Sequence, residues 1–246
     1  MDVSTKSDNL RSNQALPGSE QSSQAVPGDA VGSVAFFDLD GTLVVGQTQL
    51  LLVKFLRQAG VVSRGFLIGA GTWFLAYKAG LVKATDASRR KGAAVLRGLE
   101  EHEAEILMER FAAEELMPRL FPRAVAALQE HQAAGDQVVI LSAALEPLVR
   151  AFCARLGVSR YAGAACEVRD GVLTGLIQGP IPYGEEKARL ARCIASEWAV
   201  DLADCWAYGD HDTDISLLES VGHPVAVRPR PGLRAAAEHA GWPILA

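Results

Sequence analysis

Val34-Ala35-Phe36-Phe37-Asp38-Leu39-Asp40-Gly41-Thr42-Leu43 is the stretch on which the reading of this chain turns. An apolar run stops abruptly at two acids two positions apart, followed by a glycine and a threonine. Apolar residues without polar alternation mark a strand covered on both faces, as in a parallel sheet. Residues i and i+2 of a strand share a face, and a chain that turns after Asp38 lets Asp40 swing towards the same cavity. Crowded carboxylates are unfavourable unless they share a cation or one of them keeps a proton. Mg²⁺ takes carboxylate, carbonyl and water oxygens in octahedral geometry, and open α/β sheets place their ligands at the carboxyl ends of strands. The stretch therefore reads as a metal site at a strand end. The competing reading is a plain strand closed by an Asp-Gly turn.

Outward from this strand the chain divides by composition. Residues 1–30 are rich in Ser, Gln, Gly, Pro and Asp, and repeat Gln14-Ala15-Leu16-Pro17-Gly18 as Gln24-Ala25-Val26-Pro27-Gly28. Such a segment has little to bury and reads as a disordered tail. Residues 47–58 look helical. Phe66 to Tyr77 form the most apolar run, which stops at Lys78, short of the roughly 20 residues a bilayer span needs. Buried helix packing is its expected role, with an interfacial or substrate-facing role as the alternative, and no stable membrane insertion is expected. Residues 85–117 are helical in composition. Their glutamates (Glu101, Glu103, Glu105, Glu109, Glu114, Glu115) alternate with Leu, Ile and Met as on a solvated helix face. Residues 44–118 thus read as a helical insertion, ended by Pro118 and Pro122.

After the insertion, strands and helices alternate. Helices are expected at 121–134, 145–156, 184–197, 213–220 and 231–240, and strands at 138–141, 204–208 and 223–227. Extended segments at 161–168 and 172–177 are joined by Asp170-Gly171, a hairpin signal, and Pro243-Ile244-Leu245 closes the chain in extended form. Repeated βα units predict an α/β fold, a doubly wound parallel sheet with helices on both faces. The domain division is then a tail at 1–30, a core at 31–43 and 119–246, and a helical cap at 44–118.

Bulk properties exclude several classes. With 246 residues, 49% of them hydrophobic, the chain is long enough for a sizeable core plus a smaller unit. A net charge of −5 without a long basic run gives no reason to expect nucleic acid. Cys153, Cys166, Cys193 and Cys205 show neither C-x-x-C nor Cys/His ligand spacing, so neither zinc nor a disulfide framework is indicated. The first 30 residues carry no apolar signal core. Reduced thiols in a cytoplasmic protein are the simple expectation.

Three downstream stretches carry chemistry. Ser142 follows the strand 138–141 directly. Its hydroxyl, with the backbone N–H groups of the next turn such as that of Ala143, could bind a phosphate oxygen at a helix N-terminus, or it could be a plain N-cap. Lys187 opens a helix, where a lone lysine is usually solvated but could neutralise a bound phosphoryl group. In Trp206-Ala207-Tyr208-Gly209-Asp210-His211-Asp212-Thr213-Asp214 an apolar strand again runs into Gly-Asp. Asp210 and Asp214, four apart, can lie on one side of a starting helix and face a common ion.

In order and type these four stretches resemble the four motifs of the haloacid dehalogenase (HAD) superfamily, most of whose members are Mg²⁺-dependent phosphohydrolases. The D-x-D-G-T string resembles the first motif, Ser142 the second, Lys187 the third, and Gly209 to Asp214 the fourth, G-D-S-x-[ND]-D. Here His211 replaces the usual Ser and Thr213 the usual Asn or Asp. The insertion after the first motif and the C-terminal pattern are similar to the phosphoserine-phosphatase-like branch, subfamily IB, which has a helical cap at that point. The resemblance spans everything but residues 1–30.

That resemblance implies roles. Asp38 would be the nucleophile that forms an aspartyl-phosphate, and Asp40 the acid that protonates the leaving alcohol and then activates water. Mg²⁺ would be held by Asp38, the Asp40 carbonyl and Asp210, with Asp214 in support. Ser142, Lys187, Ala143 and backbone N–H groups from Leu39 to Gly41 would hold the phosphoryl oxygens. Dehalogenases of this fold usually lack an acid at the Asp40 position, so a phosphatase is favoured; a phosphomutase would also keep it. Phosphoserine phosphatases carry a Glu nine residues after the nucleophile to bind the substrate ammonium. Here that position is Gln47, a specificity candidate that counts against phosphoserine and leaves histidinol phosphate and other small phosphorylated metabolites open. The alternative function is a catalytically weak member that binds a phosphorylated ligand or a protein partner.

Overall fold

The computed structural model describes residues 32–62 and 93–246. Phe36 and Phe37 lie in the central part of a six-stranded parallel sheet. Its strands are β1 (Val34–Phe37), β2 (Gln137–Leu145), β3 (Arg160–Ala164), β6 (Trp206–Gly209), β7 (His223–Val227) and β8 (Ile244–Leu245), in the order β3-β2-β1-β6-β7-β8. β1 is bracketed by β2 and β6, with Phe37 opposite both Ile140 and Tyr208. From β1 the sheet grows one way through β2 and β3 and the other way through β6 to β8. The point where its winding reverses, the usual ligand crevice of an open α/β sheet, is therefore at the end of β1, where Asp38 stands.

Alternate residues of the strands feed two separate cores. Ala35 and Phe37, Val138 and Ile140, and Val225 and Val227 enter one of them. There they meet α3 (Pro122–Ala134) through Ala124 and Leu128, and α4 (Glu146–Arg155) through Leu148, Val149 and Phe152. Val34, Phe36, Val139, Leu141, Ala207 and Ala226 enter the other. It is closed by α5 (Glu185–Glu197), α6 (Ile215–Glu219) and α7 (Pro231–Ala240), through Ala191, Ile194, Leu217, Leu218, Leu233 and Ala237. Helices thus cover both faces, and the strands are apolar on both sides for that reason.

Between β1 and β2 the described chain is helical. α1 (Thr48–Gln58) buries Leu52, Phe55 and Leu56, and α2 (Glu101–Phe111) buries Met108 and Phe111, all in the first core. The Phe55 and Phe111 rings lie 5.4 Å apart. Arg150 of α4 ties α2 to the sheet domain through Glu105 at 2.9 Å, and Arg155 donates to the Glu109 carbonyl at 3.0 Å. Pro118 is the second residue of a 3-10 turn (Met117–Arg119), and Pro122 is the first residue of α3, a position where its missing N–H is no loss.

Three expectations are corrected. The helical run at 85–117 is broken among its described residues: 98–101 pair instead with β5 (Val172–Ile177). Gly98 N–H donates to Leu173 O, Leu173 N–H to Leu99 O and Glu101 N–H to Gly171 O, each at 2.9 Å. An unpaired strand edge needs partners, and the insertion supplies them. The extended segment at 161–168 is two strands. β3 joins the main sheet, while β4 (Cys166–Arg169) leaves it to form an antiparallel hairpin with β5 through Asp170 (φ 51°) and Gly171 (φ 76°), a two-residue turn with positive φ at both positions. Finally, β2 does not stop at Leu141. It runs on through an irregularity to Leu145, which pairs with Ala164 of β3.

The tail at 1–30 and the apolar run at 66–77 lie outside the described residues. No helix of the described residues is long and apolar enough to cross a membrane.

Candidate active site

The ends of β1 and β6 present their acids side by side because the strands are neighbours in register. Asp38 N–H donates to Tyr208 O at 2.9 Å, extending the β1–β6 ladder by one residue. Asp38 and Asp210 are each only 6% exposed, and Asp214 only 1%. Each offers one carboxylate oxygen, and these three oxygens lie within 4.8 Å of one another. Lys187, in the first turn of α5 and itself buried, sends its Nζ to Asp38 Oδ1 at 2.5 Å and to Asp214 Oδ1 at 2.6 Å. One ammonium therefore bridges the acid at the end of β1 and an acid of the turn that follows β6.

Asp210 and Asp214 are not on the side of a starting helix, as the spacing suggested. Asp210 precedes a 3-10 turn (Asp212–Asp214) whose last residue is Asp214, and α6 begins only at Ile215. His211 organises that turn. Its Nδ1 accepts the Thr213 N–H at 3.2 Å, while Asp214 Oδ2 accepts the His211 N–H at 3.2 Å, a reciprocal capping box. The imidazole does here what a small hydroxyl side chain does at other helix starts. Asp214 thus gives one oxygen to Lys187 and the other to a backbone N–H, which leaves Asp38 and Asp210 with the freer oxygens.

Asp40 stands apart from the three-acid cluster. Its Oδ1 accepts the Thr48 N–H at 2.5 Å and its Oδ2 the Thr48 hydroxyl at 2.9 Å, so it caps α1 from outside the helix. Gln47, the residue before α1, is exposed and makes no side-chain cap. Gly41 has φ +86°, and a Cβ there would run into the Asp210 carboxylate. Its N–H donates to Val44 O at 2.8 Å, so it is not a free donor for a phosphoryl oxygen. The role of Gly41 is to let Asp210 approach. Ser142 is likewise not at a helix N-terminus, since α4 starts at Glu146. It lies buried in the last part of β2, two residues beyond the partner of Phe37, and so at the same end of the sheet as Asp38. Its Oγ accepts the Ala144 N–H at 3.1 Å, leaving the hydroxyl proton to donate; Ala143 is half-buried beside it.

Burial is the first influence on Asp38, Asp210 and Asp40. It lifts the Asp38 carboxyl to about 8, against the pull of Lys187 and with the push of Asp214 and Asp40. Burial and then Asp214 lift Asp210 to about 6, against Arg230 and Lys187. Burial also raises Asp40, opposed by both Thr48 bonds. Burial weakens the hold of Lys187 on its proton, but Asp214 and Asp38 outweigh it and hold the ammonium charged. Three buried acids against the buried Lys187 ammonium and the half-exposed Arg230 leave negative charge uncompensated, and the donors are all hard oxygens. That set fits Mg²⁺ better than a softer transition metal.

Sequence reasoning missed Thr48, Asp212 and Arg230. Arg230 Nε lies 3.6 Å from Asp210 Oδ2, and its N–H donates to the Asp210 carbonyl at 2.9 Å. No local spacing announces it, because the contact joins two turns distant in the chain.

Comparison with known proteins agrees with this geometry. The family model described as haloacid dehalogenase-like hydrolase matches residues 35–219. The chain is 32% identical over 221 residues to a phosphoserine phosphatase of Mycobacterium tuberculosis, covering 86% of this chain and 70% of that one. It is 29% identical over 218 residues to a histidinol-phosphatase of Neisseria meningitidis, covering 87% and 98%. Among solved structures, a protein of unknown function from Bordetella pertussis superposes with a TM-score of 0.79 at 26% identity, covering 88% of this chain and 99% of that one. Fold, motif order and the paired strand-end acids agree: the chain belongs to the haloacid dehalogenase-like hydrolase family, in its branch of phosphoserine-phosphatase-like phosphatases.

Proposed function

We propose that the chain is a Mg²⁺-dependent phosphomonoester hydrolase that works through an aspartyl-phosphate on a small phosphorylated metabolite. The observation that carries this reading is the Lys187 bridge between Asp38 and Asp214, set beside Asp210. Asp38, Asp210 and the Asp40 carbonyl, with Asp214 in support, would hold Mg²⁺, whose charge would keep Asp38 ionised and offset that of the phosphoryl oxygens. An Asp38 oxygen attacks phosphorus as the bond to the leaving oxygen breaks, and Asp40 gives that oxygen its proton. Asp40 then takes a proton from water, whose oxygen attacks the same phosphorus. The bond to Asp38 breaks, and inorganic phosphate leaves. Lys187 and the Ser142 hydroxyl, with the Ala143 N–H, hold the phosphoryl oxygens in a site that acts by position and charge.

Thr48 keeps both Asp40 oxygens directed while burial raises the acid's proton affinity, which suits a group that must first donate a proton. The segment 44–118 acts as the cap that excludes water. Four free, scattered cysteines fit a cytoplasmic setting. Gln47 stands next to Thr48 without a charge, which favours a substrate whose recognition does not need a carboxylate there.

Hydrolysis of p-nitrophenyl phosphate with Mg²⁺ and with excess chelator tests the reading. Turnover that disappears with chelator and returns with Mg²⁺ supports it. A panel containing phosphoserine and histidinol phosphate then selects the substrate. Binding of phosphate esters without any Mg²⁺-dependent turnover would instead make the chain a ligand-binding member.

A further inference from the structure

Asp212 occupies the position that the fourth motif leaves open, and nothing in the reaction above uses it. It is exposed, yet its carboxylate is anchored: Oδ1 accepts the Leu233 N–H at 2.8 Å. Leu233 is the third residue of α7, where backbone N–H groups lack intrahelical partners and carry the positive end of the helix. The residue preceding α7, Arg230, supplies no side-chain cap of its own. Gly232 lies directly against the Asp212 carboxylate, and a Cβ there would overlap it. A second tie is the Arg230 N–H to the Asp210 carbonyl at 2.9 Å. The turn that provides both ties is stiff, with Pro229 and Pro231 on either side of Arg230. Arg228 sits at φ 42° with its N–H held by Leu245 O at 2.8 Å, and Leu233 is fully buried in the core.

We propose that Asp212 is a positioning residue. By capping Leu233 in the space that Gly232 leaves free, it fixes the turn that sets Asp210 against Asp214, and with it the grip of the site on Mg²⁺. The inference rests on the proposed function, because it takes those acids to be the metal site. The clamp itself is independent of metal.

Mg²⁺ titration by calorimetry and amide hydrogen exchange of the metal-free full-length chain test it, on Asp212→Ala, Asp212→Asn, Gly232→Ala and the Asp212→Ala/Gly232→Ala double variant. Asp212→Ala and Gly232→Ala should each weaken Mg²⁺ binding about tenfold, the size of effect that outer-shell partners have on metal sites. Asp212→Asn keeps an acceptor oxygen and should stay within about twofold of the parent. The double variant should be no weaker than the worse single one, since both changes break one contact. The Leu233 and Asp214 amides should exchange faster in Asp212→Ala and Gly232→Ala but not in Asp212→Asn. Unchanged exchange in the two disruptive variants overturns the clamp, as does an Asp212→Asn variant no better than Asp212→Ala. A parent chain that takes up no Mg²⁺ overturns the proposed function instead, and the exchange pattern still decides the clamp.

Discussion

Lys187 is a single buried ammonium shared by two buried carboxylates. Removing one partner of a buried ionic group leaves uncompensated charge, at a cost of about 3–5 kcal/mol. Lys187→Met should therefore lower the unfolding free energy by about that much in urea titrations with chelator. The acids give a pH dependence of definite sign. Asp38 at about 8 and Asp210 at about 6 both lie above the ordinary value of 3.8, so the folded metal-free chain binds protons more tightly than the unfolded one. What these two acids contribute to stability is therefore fully present at low pH and is lost as pH rises through that window. In chelator the melting temperature should drop between pH 5 and pH 8, and excess Mg²⁺ should flatten the profile; a steady rise in chelator would contradict the electrostatic picture. Thr48→Val removes one of the two donors to the Asp40 side chain and should reduce kcat several-fold, with little change in Mg²⁺ affinity, because the proposed metal ligand on Asp40 is its backbone carbonyl, which the Thr48 hydroxyl does not touch. At this scale Asp38 and Asp210 were legible because each directly follows an apolar strand, Asp214 because of its spacing from Asp210, and Lys187 only through its place in the order of the motifs. Thr48, Asp212 and Arg230 were not, because their partners are brought near only by the packing of distant turns.

Elements differ in how openly they announce themselves. β1, β7, α3 and α7 stand within a residue of where composition and turn residues put them, because apolar runs bounded by Gly and Pro leave few alternatives. Ser142 was misplaced for an instructive reason. Pairing with β3 draws β2 on past it, so the residue belongs to a bulged strand end and not to a helix cap. The break of the helical run at 98–101 has the same origin, since the demand of β5 for an edge partner is a tertiary one. Gly41 is where an element's geometry and the site meet. Gly41→Ala would place an L-residue at positive φ, costing about 1–2 kcal/mol, and drive its Cβ into Asp210. Both lower stability and weaker Mg²⁺ binding are expected, measured by urea titration and calorimetry on the same preparation.

For the molecule as a whole, the doubly wound sheet explains why motifs spread from Asp38 to Asp214 converge. Parallel strands with right-handed helical crossovers bring every carboxyl end to one edge of the sheet, and the reversal of winding at β1 opens a crevice there. The alternation of βα units and the doubly apolar strands made this architecture readable. The order of four motifs made the family readable. A ligand that binds only the folded chain stabilises it by mass action, about 2.7 kcal/mol at a hundred times its Kd. Mg²⁺ should therefore raise the melting temperature of the whole domain, and Asp210→Asn should largely abolish that rise. The central claim, that Asp38 carries the phosphoryl group in transit, is tested most directly by acid-quenching a reaction with ³²P-labelled phosphoserine or another turned-over ester and mapping the label. Acid-stable, alkali-labile phosphate confined to the Asp38 peptide and absent from Asp38→Asn is the expected result. Label on any other residue, or full turnover by Asp38→Asn, would contradict the account.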